Sequence, residues 1–300
     1  MKKLYSLDLL RVIAAFGILF YHISSHCSGY FGIMDTFIAT GGVFMVLFFA
    51  LSGFVLYYCY DNKDLIDIRN IKAFWKKRFV TLYPCYIFIT TIYLIIHFQG
   101  WRNTIIMAPV EILLLHQYLP GGARNFACNS LTWFLSCLVL AYFLFPFMKH
   151  ILKNMKMGEK KLLLVGLWFV SSIAPFSVHF MEYEWVYNNP YFKLMEFVSG
   201  MVIADLYITN KEKQESGSQG KTVLLFVLLI ACVSLLRRFG IGTAASYIFF
   251  DLPIFLLLIL EMARLKDSCL IVRFSTRGGG TISWQDLLWN LSCTSFSDKY

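Results

Sequence analysis

The sequence predicts an all-α fold, a polytopic transmembrane helix bundle of about eight spans plus one re-entrant or interfacial segment. Three observations predict this class: 58% of the residues are hydrophobic, only 15% are charged, and the apolar residues form long uninterrupted runs. A soluble domain carries about a quarter charged residues, whereas a helix of about 20 apolar residues can cross a bilayer. The runs do not alternate between apolar and polar residues, which argues against the strands of a membrane barrel.

Eight apolar runs are predicted to cross the bilayer. They are residues 7–25, 36–60, 79–98, 130–148, 162–181, 192–209, 222–238 and 245–264. A ninth run, 104–119, is shorter and contains Pro109, Glu111 and His116. Whether this ninth run crosses is decided by the charges of the loops around it.

Loops rich in Lys and Arg are typical of the cytoplasmic side of a membrane protein. The segments 61–78 and 149–161 are both of this kind, so both are predicted to be cytoplasmic. An even number of spans must separate two loops on the same side, and 79–98 and 130–148 supply two. The run 104–119 is therefore predicted to lie in the interface or to re-enter from outside.

The same charge pattern orients the rest of the chain. The N-terminus, near Lys2 and Lys3, and the lysine-containing loop 210–221 are predicted to be cytoplasmic, and the loop 182–191, without Lys or Arg, is predicted to be outside. The loop 237–244 is the exception, because this topology puts it outside although it contains Arg237 and Arg238. We therefore expect a multi-pass protein of the cell membrane with a cytoplasmic N-terminus.

The formal net charge of +9 does not indicate nucleic-acid binding, because the Lys and Arg residues lie in short loops between apolar runs. The lipid bilayer is the predicted partner instead. The eight cysteines show no C-x-x-C pair and no metal-ligand spacing, so no metal site is predicted. P-loop, dinucleotide-binding, zinc-helix and G-x-S-x-G motifs are missing from the sequence, so no bound cofactor is predicted.

The chain is predicted to consist of a transmembrane domain, residues 1–273, and a polar C-terminal tail, residues 274–300. The tail loses the apolar character abruptly, contains three consecutive glycines and has no helical period long enough to span. We expect either a disordered cytoplasmic tail or an out-of-frame read-through after a truncation. In the second case the chain would fold poorly or be inactive.

The first span carries two ionisable residues, Arg11 and His22. Eleven residues are close to three helical turns, so both side chains project from nearly the same face, about 16 Å apart along the axis. Ionisable residues inside a span are costly and are functional candidates by default. Two alternatives remain, since Arg11 could extend to lipid phosphates and His22 could lie at the outer interface.

A cationic cluster, Lys76, Lys77 and Arg78, lies at the cytoplasmic mouth of the third span. Positive-inside topology by itself explains such a cluster. The alternative is a site for an anionic group, such as the phosphates of a nucleotide-bearing donor. The pattern alone favours the first explanation.

Other residues in or beside the spans are candidates for structural or chemical roles. The small residues Ser52 and Gly53 indicate a close approach of another helix backbone. An acid could pair with Arg11 or with a membrane histidine, but the sequence does not show which one. The candidate acids are Glu111, Glu196, Asp205 and Asp251.

Taken together, the ordered segments resemble the acyltransferase 3 family of bacterial membrane proteins. LDLLRVIAAFGILFYHIS (7–24) is similar to the opening helix of the family, with an Arg and a His eleven residues apart. The next three matches are GGVFMVLFFALSGFVL (41–56), the basic stretch FWKKRFVTLYPCY (74–86) and the Trp-Phe-Leu helix LTWFLSCLVLAYFLFP (131–146). YFKLMEFVSGMVIA (191–204) is a weaker fifth match. The resemblance covers residues 1–265.

The resemblance implies a membrane-bound O-acyltransferase, transferring groups other than amino-acyl groups. The family moves an acyl group, usually acetyl, from acyl-CoA to a hydroxyl of a cell-surface or lipid-linked carbohydrate. His22 would act as the base or handle the acyl group, and Arg11 would support it or contact the donor. Lys76, Lys77 and Arg78 would bind the acyl-CoA donor, of which acetyl-CoA is the usual form. A neutral imidazole suits the task, because it accepts a hydroxyl proton near neutral pH.

The chain departs from the pattern of the family at two places. The basic stretch of the family usually has a second Arg three residues before the Pro, and Thr81 occupies that position here. The final Ser-Phe-x-x-Tyr-Leu-x-His helix of the family has no counterpart after Arg273. A transporter or exporter of a polysaccharide or lipid-linked sugar is the alternative function, and a non-catalytic remnant is a third hypothesis.

Overall fold

The computed structural model describes residues 3–26, 32, 35–96, 100–119, 132–177, 187–210, 216–238, 248–266 and 269. Within these ranges every regular element is a helix, so the predicted all-α class is confirmed. The predicted tail, 274–300, lies outside the described residues. The division of the chain at residue 273 therefore stays a prediction.

Ten α-helices lie in the described ranges, and each of the eight predicted spans contains one. They are α1 (Tyr5–His26), α2 (Asp35–Ile38), α3 (Phe44–Tyr60), α4 (Ile68–Ile96), α5 (Trp101–Ile112), α6 (Trp133–Asn154), α7 (Met157–Ser177), α8 (Pro190–Thr209), α9 (Gln219–Arg238) and α10 (Ile248–Ala263). The described ranges also contain the short 3-10 turns Gly41–Val43 and His116–Tyr118.

Five segments of the described chain are long and apolar enough to cross a membrane. They are Tyr5–Ser24, Gly41–Tyr60, Ile68–Ile96, Trp133–Asn154 and Gln219–Leu236. The protein is a membrane protein by this measure, while the count of eight spans stays a prediction. Helix α5 has 12 residues, which gives it a length of about 18 Å. It is too short to cross a core of about 30 Å, which agrees with a non-crossing segment.

Helix α4 corrects the prediction that residues 61–78 form a loop. The helix begins at Ile68, and Asp67 caps it by accepting a hydrogen bond from the Arg69 N–H at 2.9 Å. This bond lowers the pKa of the Asp67 carboxyl below its usual value. Since residues 68–83 contain neither Gly nor Pro, nothing stops the helix before the apolar run.

The predicted span 36–60 is interrupted in the structure. Helix α2 ends at Ile38, the 3-10 turn Gly41–Val43 follows, and α3 begins at Phe44. The interruption coincides with the paired glycines Gly41 and Gly42, which are poor helix formers. The apolar pattern alone did not reveal this break.

The helices form two compact units. Unit 1 consists of residues 1–62, 156–175 and 196–300, and unit 2 consists of residues 63–155 and 176–195.

Helix α3 forms the centre of unit 1, with nearly all its side chains buried. Gly53 of α3 lies directly against the backbone of Phe197, and Gly200 of α8 lies against the backbone of Ala50. A Cβ atom at either glycine would collide with a carbonyl oxygen of the other helix. The close helix packing predicted from the small residues at Ser52 and Gly53 is confirmed, and Gly53 is the residue that allows it.

Helix α10 is fixed in unit 1 by contacts at both ends. The Ser6 hydroxyl of α1 donates a hydrogen bond to the carbonyl oxygen of Met262 at 2.6 Å. Near the other end, Pro253 lacks an N–H and leaves the carbonyl oxygen of Phe249 without its helical partner. The indole N–H of Trp168 on α7 donates to this oxygen at 2.8 Å.

Unit 2 is built from α4, α5 and α6. The rings of Phe74 on α4 and Phe145 on α6 stack with centroids 5.3 Å apart. The Tyr86 hydroxyl of α4 donates a hydrogen bond to the backbone oxygen of Glu111 at 2.5 Å. The Ser136 hydroxyl of α6 donates to the backbone oxygen of Leu114, so the end of α5 is held from both sides.

Candidate active site

The two candidate residues of the first helix lie on α1, as the sequence predicted. Arg11 is partly buried, with 18% of its side chain exposed, and His22 is half-buried. The His22 ring meets the ring of Tyr21 edge to face, with centroids 5.3 Å apart. Since both residues belong to one continuous helix, the interval of eleven residues gives them nearly the same direction in unit 1.

Asp8 is the acid that pairs with Arg11. Its Oδ1 atom lies 3.4 Å from Nη1 of Arg11, and the Asp8 side chain is almost completely buried. The sequence contained the signal for this pair, because residues three apart on a helix face each other. The acids that the sequence suggested as partners, Glu111, Glu196, Asp205 and Asp251, do not include Asp8.

The three residues of the predicted cationic cluster have different environments in unit 2. Arg78 is buried, with its guanidinium 5.5 Å from the ring centroid of Phe74 and 5.6 Å from that of Tyr142. Lys77 is half-buried and Lys76 is exposed. These distances suit cation–π contacts, which stabilise a guanidinium that has left water.

Two further lysines join Arg78 in unit 2. The buried Lys149 of α6 donates a hydrogen bond from Nζ to the backbone oxygen of Lys63 at 2.5 Å. Burial lowers the pKa of the Lys63 amine below its usual value, and the nearby charge of Arg78 lowers it further. Like charges that gather at a partly buried place repel one another. An anionic ligand would remove this repulsion.

The two sets of candidate residues belong to different units. Arg11 and His22 are part of unit 1, together with Asp8, whereas Lys76, Lys77 and Arg78 are part of unit 2.

Asp205 has a structural environment in unit 1. It accepts a hydrogen bond from the Tyr57 hydroxyl at 2.6 Å and an ion-pair hydrogen bond from the Lys160 Nζ, also at 2.6 Å. These partners come from α3 and α7, so the carboxylate joins three helices. Its oxygens are engaged, which assigns Asp205 to the stability of the unit.

Glu111 and His116 form a buried pair in unit 2. Nδ1 of His116 lies 3.8 Å from Oε2 of Glu111, and both side chains are inaccessible to solvent. Leu114 between them has a φ of 56°, a left-handed conformation that a leucine rarely adopts. This turn brings the imidazole back towards the carboxylate after α5 ends.

Asp251 differs from these acids, because it is fully buried in α10 without a hydrogen-bond partner among the residues that the structure describes. Glu196 of α8 is also buried. In the described ranges, no three His, Cys, Asp or Glu side chains come together as a group that could hold a metal ion.

Comparison with known proteins adds a relationship over nearly the whole chain. Residues 4–283 match the family model of an acyltransferase domain. Among curated proteins, the chain is similar to acyltransferase MdmB of Streptomyces mycarofaciens, with 27% identity over 183 residues. The aligned stretch covers 55% of this chain and 46% of that protein, so the chain matches about half the length of its relative. No solved structure gives a significant match.

Proposed function

The chain belongs to the acyltransferase 3 family, and from this premise we propose that it is a membrane-bound O-acyltransferase. It moves an acyl group, in the usual case acetyl, from acyl-CoA to a hydroxyl of a cell-surface or lipid-linked carbohydrate. The protein works in a bacterial inner or plasma membrane with its N-terminus in the cytoplasm. The observation that carries this proposal is the pair Arg11 and His22 on one face of the first membrane helix of a family member.

His22 is the proposed general base. Acyl transfer to a hydroxyl requires that the proton leave the hydroxyl oxygen as this oxygen bonds to the acyl carbon. An imidazole titrates near neutral pH, so it can accept that proton and release it again in each cycle. The half-buried position of His22 supports this role, because part of the ring stays accessible to a substrate.

Arg11 is the proposed electrostatic support of the reaction. Its guanidinium is held by Asp8 at 3.4 Å, which restricts its rotamers before a substrate arrives. A positioned cation stabilises the negative charge that develops on the acyl oxygen or on a donor phosphate. Asp8 has the role of a positioning residue for Arg11.

The donor site is proposed to involve the cations of unit 2. Arg78 and Lys77 supply charge near the predicted cytoplasmic side, where CoA is available, and Lys63 and Lys149 add to the same cluster. Hydrogen bonds between Arg or Lys and phosphate are among the strong ones in proteins. Lys76 is exposed and contributes to the approach of the donor rather than to its bound position.

A transfer assay in membranes tests the proposed function. Membranes that contain the protein are incubated with radiolabelled acetyl-CoA and with lipid-linked or soluble sugar acceptors, and acylated product is separated from the donor. We expect label to reach the sugar and free CoA thiol to appear in equal amount. Net movement of sugar across sealed vesicles without acylation would favour the transporter. Failure of full-length protein to accumulate in membranes would favour the remnant.

A further inference from the structure

The first helix, α1, has two different faces in unit 1. Its packed face contains Gly17 and Tyr21, which lie so close to Gly41 that a Cβ atom there would collide with both. Its exposed face is apolar, and between 37% and 54% of each large residue on it is accessible. In a membrane helix such a face contacts lipid. The exposed face consists of Val12, Phe16, Leu19, Phe20 and Ile23, together with the small residue Ala15.

Arg11 and His22 lie along one edge of the exposed face. An α-helix turns by about 100° per residue, so His22 is rotated by about 140° from Gly17 but only by about 20° from Ala15. Arg11 precedes Ala15 by four residues and shares this side of the helix. Phe20, rotated by about 160° from His22, marks the opposite edge of the exposed face. The polar pair therefore lies at the boundary between the packed face and the lipid-facing surface of α1.

This boundary is an unusual place for ionisable side chains. Inside membrane spans such residues usually face the interior of the bundle, because contact with lipid is costly for them. Arg11 and His22 are instead partly accessible beside an apolar surface. A substrate that arrives from the lipid and carries polar groups on an apolar anchor would match both parts of this surface at once.

The exposed face is closed at the end nearer the N-terminus. Asp8 lies seven residues, or about two turns, before Ala15 and has nearly the same direction, but its exposure is only 1%. Leu4, one turn further back, is 5% exposed. An apolar chain that lies along the exposed face can therefore extend towards the N-terminus only as far as Val12.

The length of the exposed face corresponds to one leaflet of a bilayer. Val12 and Ile23 are eleven residues apart, or about 16 Å along the helix axis. A hydrocarbon core is about 30 Å thick, so the exposed face covers about half of it. Since the N-terminus is proposed to be cytoplasmic, this half is the outer leaflet. His22 lies at the outer end of the face, where the head group of a lipid would be.

We propose that the acceptor is a carbohydrate linked to a long hydrocarbon chain and that it enters sideways from the outer leaflet, an inference that rests on the proposed function. The chain lies against the exposed face of α1, and the sugar lies beside His22. Ala15 lies one turn from Arg11 and one turn from Leu19, so its small side chain leaves a depression for the chain between two larger residues. A water-soluble sugar would leave this face unused.

The substitution Ala15→Phe tests the proposal by filling the depression, and Phe20→Trp is the matched control. Both enlarge an exposed side chain of α1, but Phe20 lies at the edge away from His22. In lipid vesicles, Ala15→Phe should raise KM for a polyprenyl-linked sugar at least about tenfold, which equals about 1.4 kcal/mol of binding. KM for acyl-CoA should stay unchanged, and Phe20→Trp should keep both wild-type KM values.

Photo-crosslinking provides a second measurement that needs no turnover. The probe is N-acetylglucosamine linked by a diphosphate to a polyprenyl chain that carries a diazirine. In vesicles it should label the exposed face of α1, and an excess of the same lipid-linked sugar without the diazirine should suppress this label. Label at Leu224, an exposed residue of α9, should persist, because it reports ordinary contact with lipid.

The outcomes separate this proposal from the proposed function. A wild-type KM for the polyprenyl-linked sugar in Ala15→Phe, or label on α1 that the competitor does not suppress, would overturn sideways entry and leave the acyltransferase function standing. Equally efficient transfer to the free sugar and to the polyprenyl-linked sugar would overturn it too. A wild type that transfers no acyl group to either acceptor would overturn the proposed function itself.

Discussion

Asp8 and Arg11 form an ion pair within the first helix, with Oδ1 of Asp8 3.4 Å from Nη1 of Arg11. Asp8 is almost completely buried, so its carboxylate leaves water only because the guanidinium compensates it. The pair explains how an arginine can be kept in a fixed orientation three turns away from His22. The first helix therefore holds Arg11 in a defined position relative to His22, and it does more than anchor the chain in the membrane.

The substitution Asp8→Asn should weaken catalysis through Arg11. A hydrogen bond to a charged group contributes about 1.5–3 kcal/mol, so loss of the carboxylate should lower kcat/KM about tenfold or more. Arg11→Lys should show a similar loss, because an ammonium does not reproduce the guanidinium geometry. The matched control is Asp64→Asn at an exposed turn, where Asn can still accept the bond from the N–H of Ile66. Wild-type activity in Asp8→Asn would contradict the positioning role.

The glycine contacts between α3 and α8 should be intolerant of a methyl group. Gly53→Ala and Gly200→Ala each place a Cβ atom against a backbone oxygen of the facing helix, so we expect a loss of about 1–3 kcal/mol or more in stability. Gly166→Ala on α7 is the control, because nothing lies within 4 Å of its Cβ position. Thermal unfolding in detergent measures the difference. Equal thermal unfolding midpoints for all three variants would show that α3 and α8 do not pack closely at these glycines.

The ion pair between Lys160 and Asp205 should behave as a buried pair in stability measurements. Asp205→Asn alone leaves the Lys160 ammonium uncompensated and should cost about 3–5 kcal/mol. Asp205→Asn combined with Lys160→Met should be more stable than Asp205→Asn alone, because Asn still accepts the Tyr57 hydroxyl and no buried charge remains. Unfolding midpoints of the four proteins in the double-mutant cycle measure this coupling. If the stability changes of the two single variants add up to that of the double variant, Lys160 and Asp205 are not coupled.

The cations of unit 2 should affect donor binding in proportion to their burial. Arg78→Gln and Lys77→Gln should raise KM for acyl-CoA about tenfold, since each removes a charge-assisted contact of about 1.5–3 kcal/mol. Lys76→Gln should change KM less than about twofold, because Lys76 is exposed and surface substitutions have small effects. Initial rates over a range of donor concentrations, repeated at high salt, measure these values. Equal increases in KM for all three substitutions would indicate long-range electrostatic attraction of the donor and not a defined binding site.

Much of the fold could be predicted from apolar runs, because each predicted span contains a helix. The predictions were wrong where local backbone geometry, and not hydropathy, determines where a helix begins or is interrupted. The capping carboxylate of Asp67 extends α4 backwards to Ile68, and the pair Gly41 and Gly42 interrupts the second span. Neither effect changes the hydropathy of the segment, so a hydropathy pattern does not reveal it.

The candidate site was predicted less completely than the fold. Arg11 and His22 could be found because their interval is local to one helix. Lys149 could not be assigned to the neighbourhood of Lys63, since they are far apart in sequence and only the packing of unit 2 joins them.

The release of CoA thiol by the purified protein in lipid, with and without the His22→Ala substitution, tests the central claim most directly. Wild-type protein given acetyl-CoA and a sugar acceptor should release thiol, and His22→Ala should lower the rate at least about 100-fold at equal amounts of folded protein. His150→Ala, an exposed histidine bonded to Asn154, should retain the wild-type rate. A His22→Ala protein that releases thiol as fast as the wild type would contradict the role of His22.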